Sequence, residues 1–336
     1  MIKIKRCPEN PIVRPGLYPW WRVSVFNPGA ILECGKFYLY ERAAGSLRPF
    51  QTSIGLLVSD DGIHFTHASI EPVFTGAMAG YPKGSVQDAR IVKIGGLYYL
   101  CYAMQPYQMD CRPTGRGAPD YYTHDYPEWS ECAWPMITRS GIAVSRDLIN
   151  FEHVCFVTPS EIDDRDVILF PQKIKGRYAL LRRPIRQARP EAGPHGPSIW
   201  ISYSDDLQEW TEPRLVARPE SAWEGGKIGA AAPPVKTERG WLLLYHGVDQ
   251  DSVYRVGAML LDLNDPAKVV ARTKRYIMEP EEYYEKFGLV IPNVIFPTGN
   301  VVKDGILHIY YGCADTSIGL ATVPVEELME YISAGN

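Results

Sequence analysis

The segment QDARIVKI sets a carboxylate, Asp88, and a guanidinium, Arg90, directly before an apolar run with the pattern of a buried strand. Similar placements recur along the chain. Asn27 precedes PGAILE, Arg165 and Asp166 sit in DDRDVILFP, Lys227 in GGKIGAAAPP, and Asn293 in IPNVIF. A second group closes apolar runs: Arg42 in YLYER, Arg182 and Arg183 in LLRRP, His246 in YHGV, and Asp315 in YYGCADT. A positioned carboxylate such as Asp88 suits proton transfer, and QDAR offers it no partner acid. Each of these residues also has a plain structural explanation. Arg, Lys and Asp mostly sit exposed, Asp88 and Arg90 would make an ordinary ion pair at a strand end, and the acids around Arg165 would suit calcium. The spacing there lacks a calcium-loop pattern, so no metal site is expected.

The elements that must position these residues repeat. CGKFYLYER, GGLYYLCYA, KGRYALLRRP, RGWLLLYHGV and DGILHIYYG share a polar-glycine turn followed by an aromatic-rich strand, and each follows another short apolar strand. Such a pair predicts a β-hairpin. Third strands with further turns follow, as in SIGLLVSDDGIHF, SGIAVSRDLINF and SIWISYSDDLQEW. The hairpin glycines Gly35, Gly96, Gly176, Gly240 and Gly305 recur about every 60 to 80 residues. Four short strands at that period predict an all-β, five-bladed β-propeller filling residues 1–336 as one domain. VPVEELMEYISAG reads as a short C-terminal helix, and an insertion at about residues 107–138 interrupts the second blade. In a propeller the first strand of each blade lines the channel, so the charged residues above converge on one mouth.

Composition narrows the class. The 336 residues are 46% hydrophobic with a formal net charge of −4, which gives no reason to expect a nucleic-acid or anionic-membrane partner. No apolar stretch has the length of a signal-peptide core or a membrane span. Seven cysteines without CxxC spacing suggest reduced packing residues, and with them a cytoplasmic protein.

The ordered set FNPGAI, YER, QDARIVKI, DRDVILFPQKI, RRP, WEGGKIGAAAPPV, GWLLLYHGV, YYEKFGLVIPNVIFPTG and IYYGCADT resembles glycoside hydrolase family 130 from about Asn27 to the C-terminal helix. The resemblance implies a five-bladed propeller enzyme, an inverting β-mannoside phosphorylase of glycosyltransferase type, with an inverting β-mannosidase as the alternative and a noncatalytic sugar-binding propeller third. It implies that Asp88 is the catalytic acid, delivering its proton through the 3-hydroxyl of the sugar. Arg165, Arg183 and Lys227 then match phosphate-binding cations, with His246 near them. Asn27, Arg42, Glu285 and Asp315 match the mannose pocket, and Arg90 is grouped with the substrate-binding residues. The implied partners are a β-mannoside, β-1,2- or β-1,4-linked or mannosyl-glucose, and inorganic phosphate as co-substrate, without a cofactor. A homo-oligomer is compatible with the sequence.

The chemistry of such a set is coherent. Inverting cleavage needs an acid on one face of the sugar and a nucleophile from the other. A hydrolase must add a carboxylate base to activate water, for which Glu224 and Glu285 are the candidates. Phosphate is already an anion and needs instead cations that desolvate and orient it, a task for which the planar guanidinium fork is suited. Trp20, Trp21 and Trp223 are further candidates for stacking on sugar, although buried aromatics are more often core. The acid is flanked by Gln87 and Ala89 where the family usually has an acidic residue and a proline, which leaves linkage and acceptor open.

Overall fold

The computed structural model describes residues 2–16, 18–47, 50–106, 138–159, 162–184, 197–289 and 291–335. Nearly all of the predicted insertion, residues 107–137, lies outside this set. Five antiparallel sheets follow one another in the chain. Blade 1 contains Ser24–Glu33, Lys36–Ala44, Leu57–Ser59 and Thr66–His67, with Thr52–Ile54 paired beside its second strand. Blade 2 contains Ser85–Ile94, Leu97–Gln105, Arg139–Ser145 and Glu152–Phe156. Blade 3 contains Asp164–Leu169, Tyr178–Pro184, Ile199–Ser204 and Arg214–Ala217.

In blade 4 the inner strand is broken into Lys227–Ala230 and Val235–Thr237, because Pro233 and Pro234 remove ladder donors between them. Gly240–Val248, Tyr254–Leu261 and Val269–Arg272 complete it. Blade 5 runs Ile295–Lys303, Ile306–Cys313 and Ser317–Pro324, and its outer strand is Lys5–Arg6 from the N-terminal end, paired with Ala321 and Thr322. The sequence pattern did not foretell this closure, since two residues carry no periodicity. The chain is a five-bladed β-propeller.

The hairpin glycines act through local geometry. Cys34–Gly35, Gly95–Gly96, Lys175–Gly176 and Asp304–Gly305 all have both turn residues at positive φ. That is the two-residue turn whose twist matches the flanking strands, and glycine takes its second position without a Cβ penalty. Gly240 is different, for it begins the strand after its turn, with φ 152°. Between third and outer strands, Ser59–Asp61, Ser145–Asp147 and Ser204–Asp206 form matching side-chain hydrogen bonds of 2.8, 3.0 and 3.1 Å. Each aspartate also accepts from backbone N–H groups two and three residues on, which explains the repeated SxD pattern.

The core lies between blades rather than along the axis. Ile91, Leu100 and Tyr102 of blade 2 pack on Tyr40 and Ile54 of blade 1, and Leu169 and Leu180 of blade 3 pack on Val92 and Cys101 of blade 2. Trp241 and Leu243 meet Ile168 and Leu181 between blades 3 and 4, and Leu242 and Leu244 meet Ile309 and Tyr311 between blades 4 and 5. Tyr310 and Leu320 of blade 5 reach Phe37 and Leu39 of blade 1, which closes the ring. The predicted helix spans Val325–Ser333 and buries Leu328, Met329 and Ile332 against blades 4 and 5.

Candidate active site

The inner strands of blades 1 to 3 share a defect that builds the site. Their ladders lose register between Phe26 and Gly29, between Gln87 and Arg90, and between Arg165 and Ile168, so two residues oppose one. The first residue of each bulge is Asn27, Asp88 or Asp166, with φ of 46°, 53° and 53°. Asn and Asp tolerate this left-handed conformation better than other non-glycine residues, and a bulge re-aims a side chain. All three line one cavity of about 170 Å³, together with Arg42, Gln87, Arg165, Arg183, Lys227, His246, Tyr254, Phe296 and Asp315.

Asp88 is held by blade 1. Its Oδ1 accepts from Asn27 Nδ2 at 2.8 Å and from Arg42 Nη1 at 3.0 Å. Among the described residues nothing hydrogen-bonds its Oδ2. Asp315, on the turn that follows the second strand of blade 5, has its carboxyl pushed up to about 7. Burial is the main cause and the charge of Asp88 adds to it, while Arg42 and Lys227 act in the opposite direction.

The cations form a second face. Arg183 Nε donates to Asp166 Oδ2, and among the described residues the buried Arg183 Nη1 has no hydrogen-bond partner. Arg165 pairs with Asp163, Nε to Oδ1 at 3.2 Å, so the turn ion pair and the cavity lining are the same side chain. Lys227 Nζ donates to Tyr254 Oη at 2.8 Å. His246 is fully buried, stacks on Tyr254 and meets Phe296 edge to face, and among the described residues neither ring nitrogen has a hydrogen-bond partner. Burial drives its pKa down to about 3, aided by Arg183, Lys227 and Arg90 and opposed by Asp166, so the ring is neutral. Strand alternation separates the two arginines of RRP: Arg182 Nε donates to Asp164 Oδ2 at 2.7 Å, and only Arg183 lines the cavity.

Two expected substrate contacts need correction. Arg90 does not line the cavity, because the bulge at Asp88 and Ala89 breaks the two-residue alternation that would put both side chains on one face. It is 1% exposed and donates to the Asp88 carbonyl at 2.8 Å, the Ala231 carbonyl at 3.1 Å and Asp166 Oδ1 at 3.2 Å. Glu285 is also fully buried away from the cavity. Its carboxylate takes Arg6 Nε at 2.8 Å, Tyr311 Oη at 2.9 Å and the backbone N–H groups of Glu281 and Glu282, capping the helical turn Tyr283–Lys286. Glu224 does the same in front of blade 4, capping Ala222–Glu224 while accepting from Tyr245 Oη and Arg272 Nη2, both at 2.7 Å.

The remaining candidates also sit elsewhere. Asn293 gives its carbonyl to the Tyr254 N–H. Trp20 and Trp21 pack on His67, and Trp223 packs on Tyr245 and Tyr276. None of these lines the cavity. Tyr254, Gln87 and Phe296 do line it and carried no signal beyond lying near strand starts. Asp166 was visible at the mouth, but its role depends on partners from other blades.

The arrangement thus combines an accessible carboxylate with a cationic, polar wall that has unfilled hydrogen-bonding atoms. It can protonate a leaving group on one side and hold an anion on the other. Comparisons with known proteins agree with this chemistry. A family model described as beta-1,4-mannooligosaccharide phosphorylase, that of glycoside hydrolase family 130, matches residues 4–334. The chain is 38% identical over 335 residues to the 1,2-beta-oligomannan phosphorylase of Thermoanaerobacter sp. (strain X514), covering 98% of this chain and 99% of that protein. It is 39% identical over 345 residues to the beta-1,4-mannooligosaccharide phosphorylase of Ruminococcus albus, covering 98% and 91%. Among solved structures, the beta-1,2-mannobiose phosphorylase from Listeria innocua, in complex with beta-1,2-mannobiose, matches with a TM-score of 0.78 at 26% identity, over 99% of this chain and 100% of that one. These relatives are β-mannoside phosphorylases, and with the model match, the coverage and the fold they establish that this chain belongs to glycoside hydrolase family 130.

Proposed function

We propose that the protein is an inverting β-mannoside phosphorylase that cleaves a β-1,2- or β-1,4-linked mannoside with inorganic phosphate. The observation that carries this reading is the shared cavity of Asp88 with Arg165, Arg183 and Lys227, in which Arg183 Nη1 and both His246 nitrogens have no hydrogen-bond partner among the described residues. Buried polar atoms are rarely left so, and phosphate oxygens would satisfy the donors. A phosphate oxygen attacks C1 of the mannosyl unit as the C1–O bond to the leaving sugar breaks; the acid form of Asp88 gives its proton to the 3-hydroxyl, whose own proton passes to the leaving oxygen, and Asp88 ends as the carboxylate. The products are α-mannose 1-phosphate and a shortened sugar.

Phosphate supplies the nucleophile, so the reaction needs no cofactor and no carboxylate base. The two glutamates best suited to serve as a base are committed to buried ion pairs outside the cavity, which favours phosphorolysis over hydrolysis. The family is one of glycoside hydrolases, so the glycosyltransferase-type label describes the transfer to phosphate rather than the class of scaffold. Among the described residues no helix is long and apolar enough to cross a membrane. A cytoplasmic setting, where phosphate is abundant, fits the proposed reaction.

The test is incubation with β-1,2-mannobiose, β-1,4-mannobiose and mannosyl-glucose, with and without phosphate. The expected outcome is α-mannose 1-phosphate formed only when phosphate is present, and no turnover by Asp88→Asn. Release of mannose without phosphate would sink the proposal in favour of a β-mannosidase.

A further inference from the structure

Asp166 has no part in the reaction as proposed, yet Arg90, Arg183 and His246 surround it. It is 2% exposed, and three blades converge on it. Its Oδ1 accepts from Arg90 Nη2 of blade 2 at 3.2 Å. Its Oδ2 accepts from Arg183 Nε of its own blade and lies 3.6 Å from His246 Nε2 of blade 4. Gly229 closes the remaining side, since a Cβ there would stand 2.1 Å from Oδ2. The other nitrogens of Arg90 bind the Asp88 and Ala231 carbonyls. Arg183 is gripped at Nε and open at Nη1 toward the cavity it lines.

A buried guanidinium without a counter-ion is strongly unfavourable, and here two would face each other. Before phosphate arrives, the carboxylate compensates them. Its negative charge also acts against an incoming phosphate at short range, where one full charge outweighs one hydrogen-bond anchor.

We propose that Asp166 is a resident counter-anion of the phosphate site, which holds Arg90 and Arg183 in place before phosphate arrives and limits how tightly phosphate then binds. This rests on the phosphorylase reading. Asp166 is therefore a positioning residue, acting through the arginines, and it keeps phosphate exchangeable and reactive as a nucleophile.

The isosteric variant Asp166→Asn tests this by calorimetric titration with inorganic phosphate, by thermal unfolding with and without it, and by steady-state kinetics. Sodium chloride at matched ionic strength controls for screening. The variant is expected to melt below the wild type in phosphate-free buffer, to gain more from phosphate than the wild type does, to bind phosphate at least about tenfold more tightly, and to show a lower kcat. A purely structural role would lower the melting temperature and leave the phosphate Kd unchanged. An unchanged or weaker Kd in the folded variant overturns the proposal.

If the single variant does not fold, Asp166→Asn combined with Arg90→Met removes a cation together with the anion. It is expected to fold and to bind phosphate within about threefold of the wild type. Failure to fold, or a Kd shifted tenfold either way, counts against the proposal. A wild type that binds no phosphate and releases mannose without it would instead remove the phosphorylase reading itself.

Discussion

Asp88 and Asp315 are two carboxylates in one cavity with different surroundings. Asp88 has Asn27 and Arg42 on one oxygen, whereas Asp315 depends on longer-range help from Arg42 and Lys227 and is pushed up to about 7. The folded protein therefore keeps a proton on Asp315 that the unfolded chain releases near pH 4. Between pH 4 and about 7 the folded state binds more protons, so this group's contribution to stability is complete below that window and is lost as pH rises through it. Asp315 keeps part of its surface open to the cavity, which screens and reduces the effect. Chemical denaturation at pH 5 and pH 8 should show the wild type losing stability across this interval and Asp315→Asn losing less. Parallel slopes for the two proteins would contradict the assignment.

At the scale of the element, the site depends on strands that break their own regularity. A uniform inner strand would alternate its side chains and present only every second residue to the channel. The bulges instead aim Asn27, Asp88 and Asp166 from equivalent positions of three blades into one cavity. Blade 4 contributes by absence: Gly229 has no side chain because Asp166, His246 Cε1 and Arg183 Nε occupy the space, at 2.1, 2.4 and 2.8 Å from where a Cβ would lie. Gly229→Ala should therefore displace the Asp166–Arg183 pair. Misplacement of a positioning group by about 1 Å costs on the order of 100-fold in rate. The expected result is a kcat/KM for phosphorolysis lower by about that factor, with the circular dichroism spectrum of the wild type. Near-normal kcat/KM would show that the cluster can shift without consequence.

At the scale of the whole molecule, the two-residue strand Lys5–Arg6 adds a polar tie at blade 5 to the apolar packing that closes the ring, and Arg6 carries that tie. Arg6 pairs with the fully buried Glu285, donates to the Glu279 carbonyl at 2.7 Å, and also meets Glu281. Glu285 in turn binds Tyr311 on blade 5 and caps the helical turn ahead of that blade's inner strand. The acid expected at the mannose is thus the anchor of the ring's seam. Breaking a buried pair from one side leaves an uncompensated charge, at a cost of about 3 kcal/mol. Arg6→Ala should lower unfolding stability by roughly that amount, and Arg6→Lys by less. Denaturant titration of the two variants would check this, and a loss no larger than that of an exposed ion pair would show that the Arg6–Glu285 pair does not hold this seam.

The sequence by itself determined the five repeats, because type-specific hairpin turns and strand alternation are local properties written in a few adjacent residues. It also placed Asp88, Arg165, Arg183, Lys227 and His246 at strand borders, where a propeller brings them to one mouth. It did not separate Arg90 and Glu285 from the cavity, since a bulge reverses which face a residue joins and a cap is satisfied by an arginine hundreds of positions away. The counter-charge role of Asp166 was hidden for the same reason. Its partners come from three blades, and only the closed ring puts two guanidiniums and an imidazole around one carboxylate. The tertiary structure decided these points because charge compensation depends on distance through space, which spacing along the chain does not record.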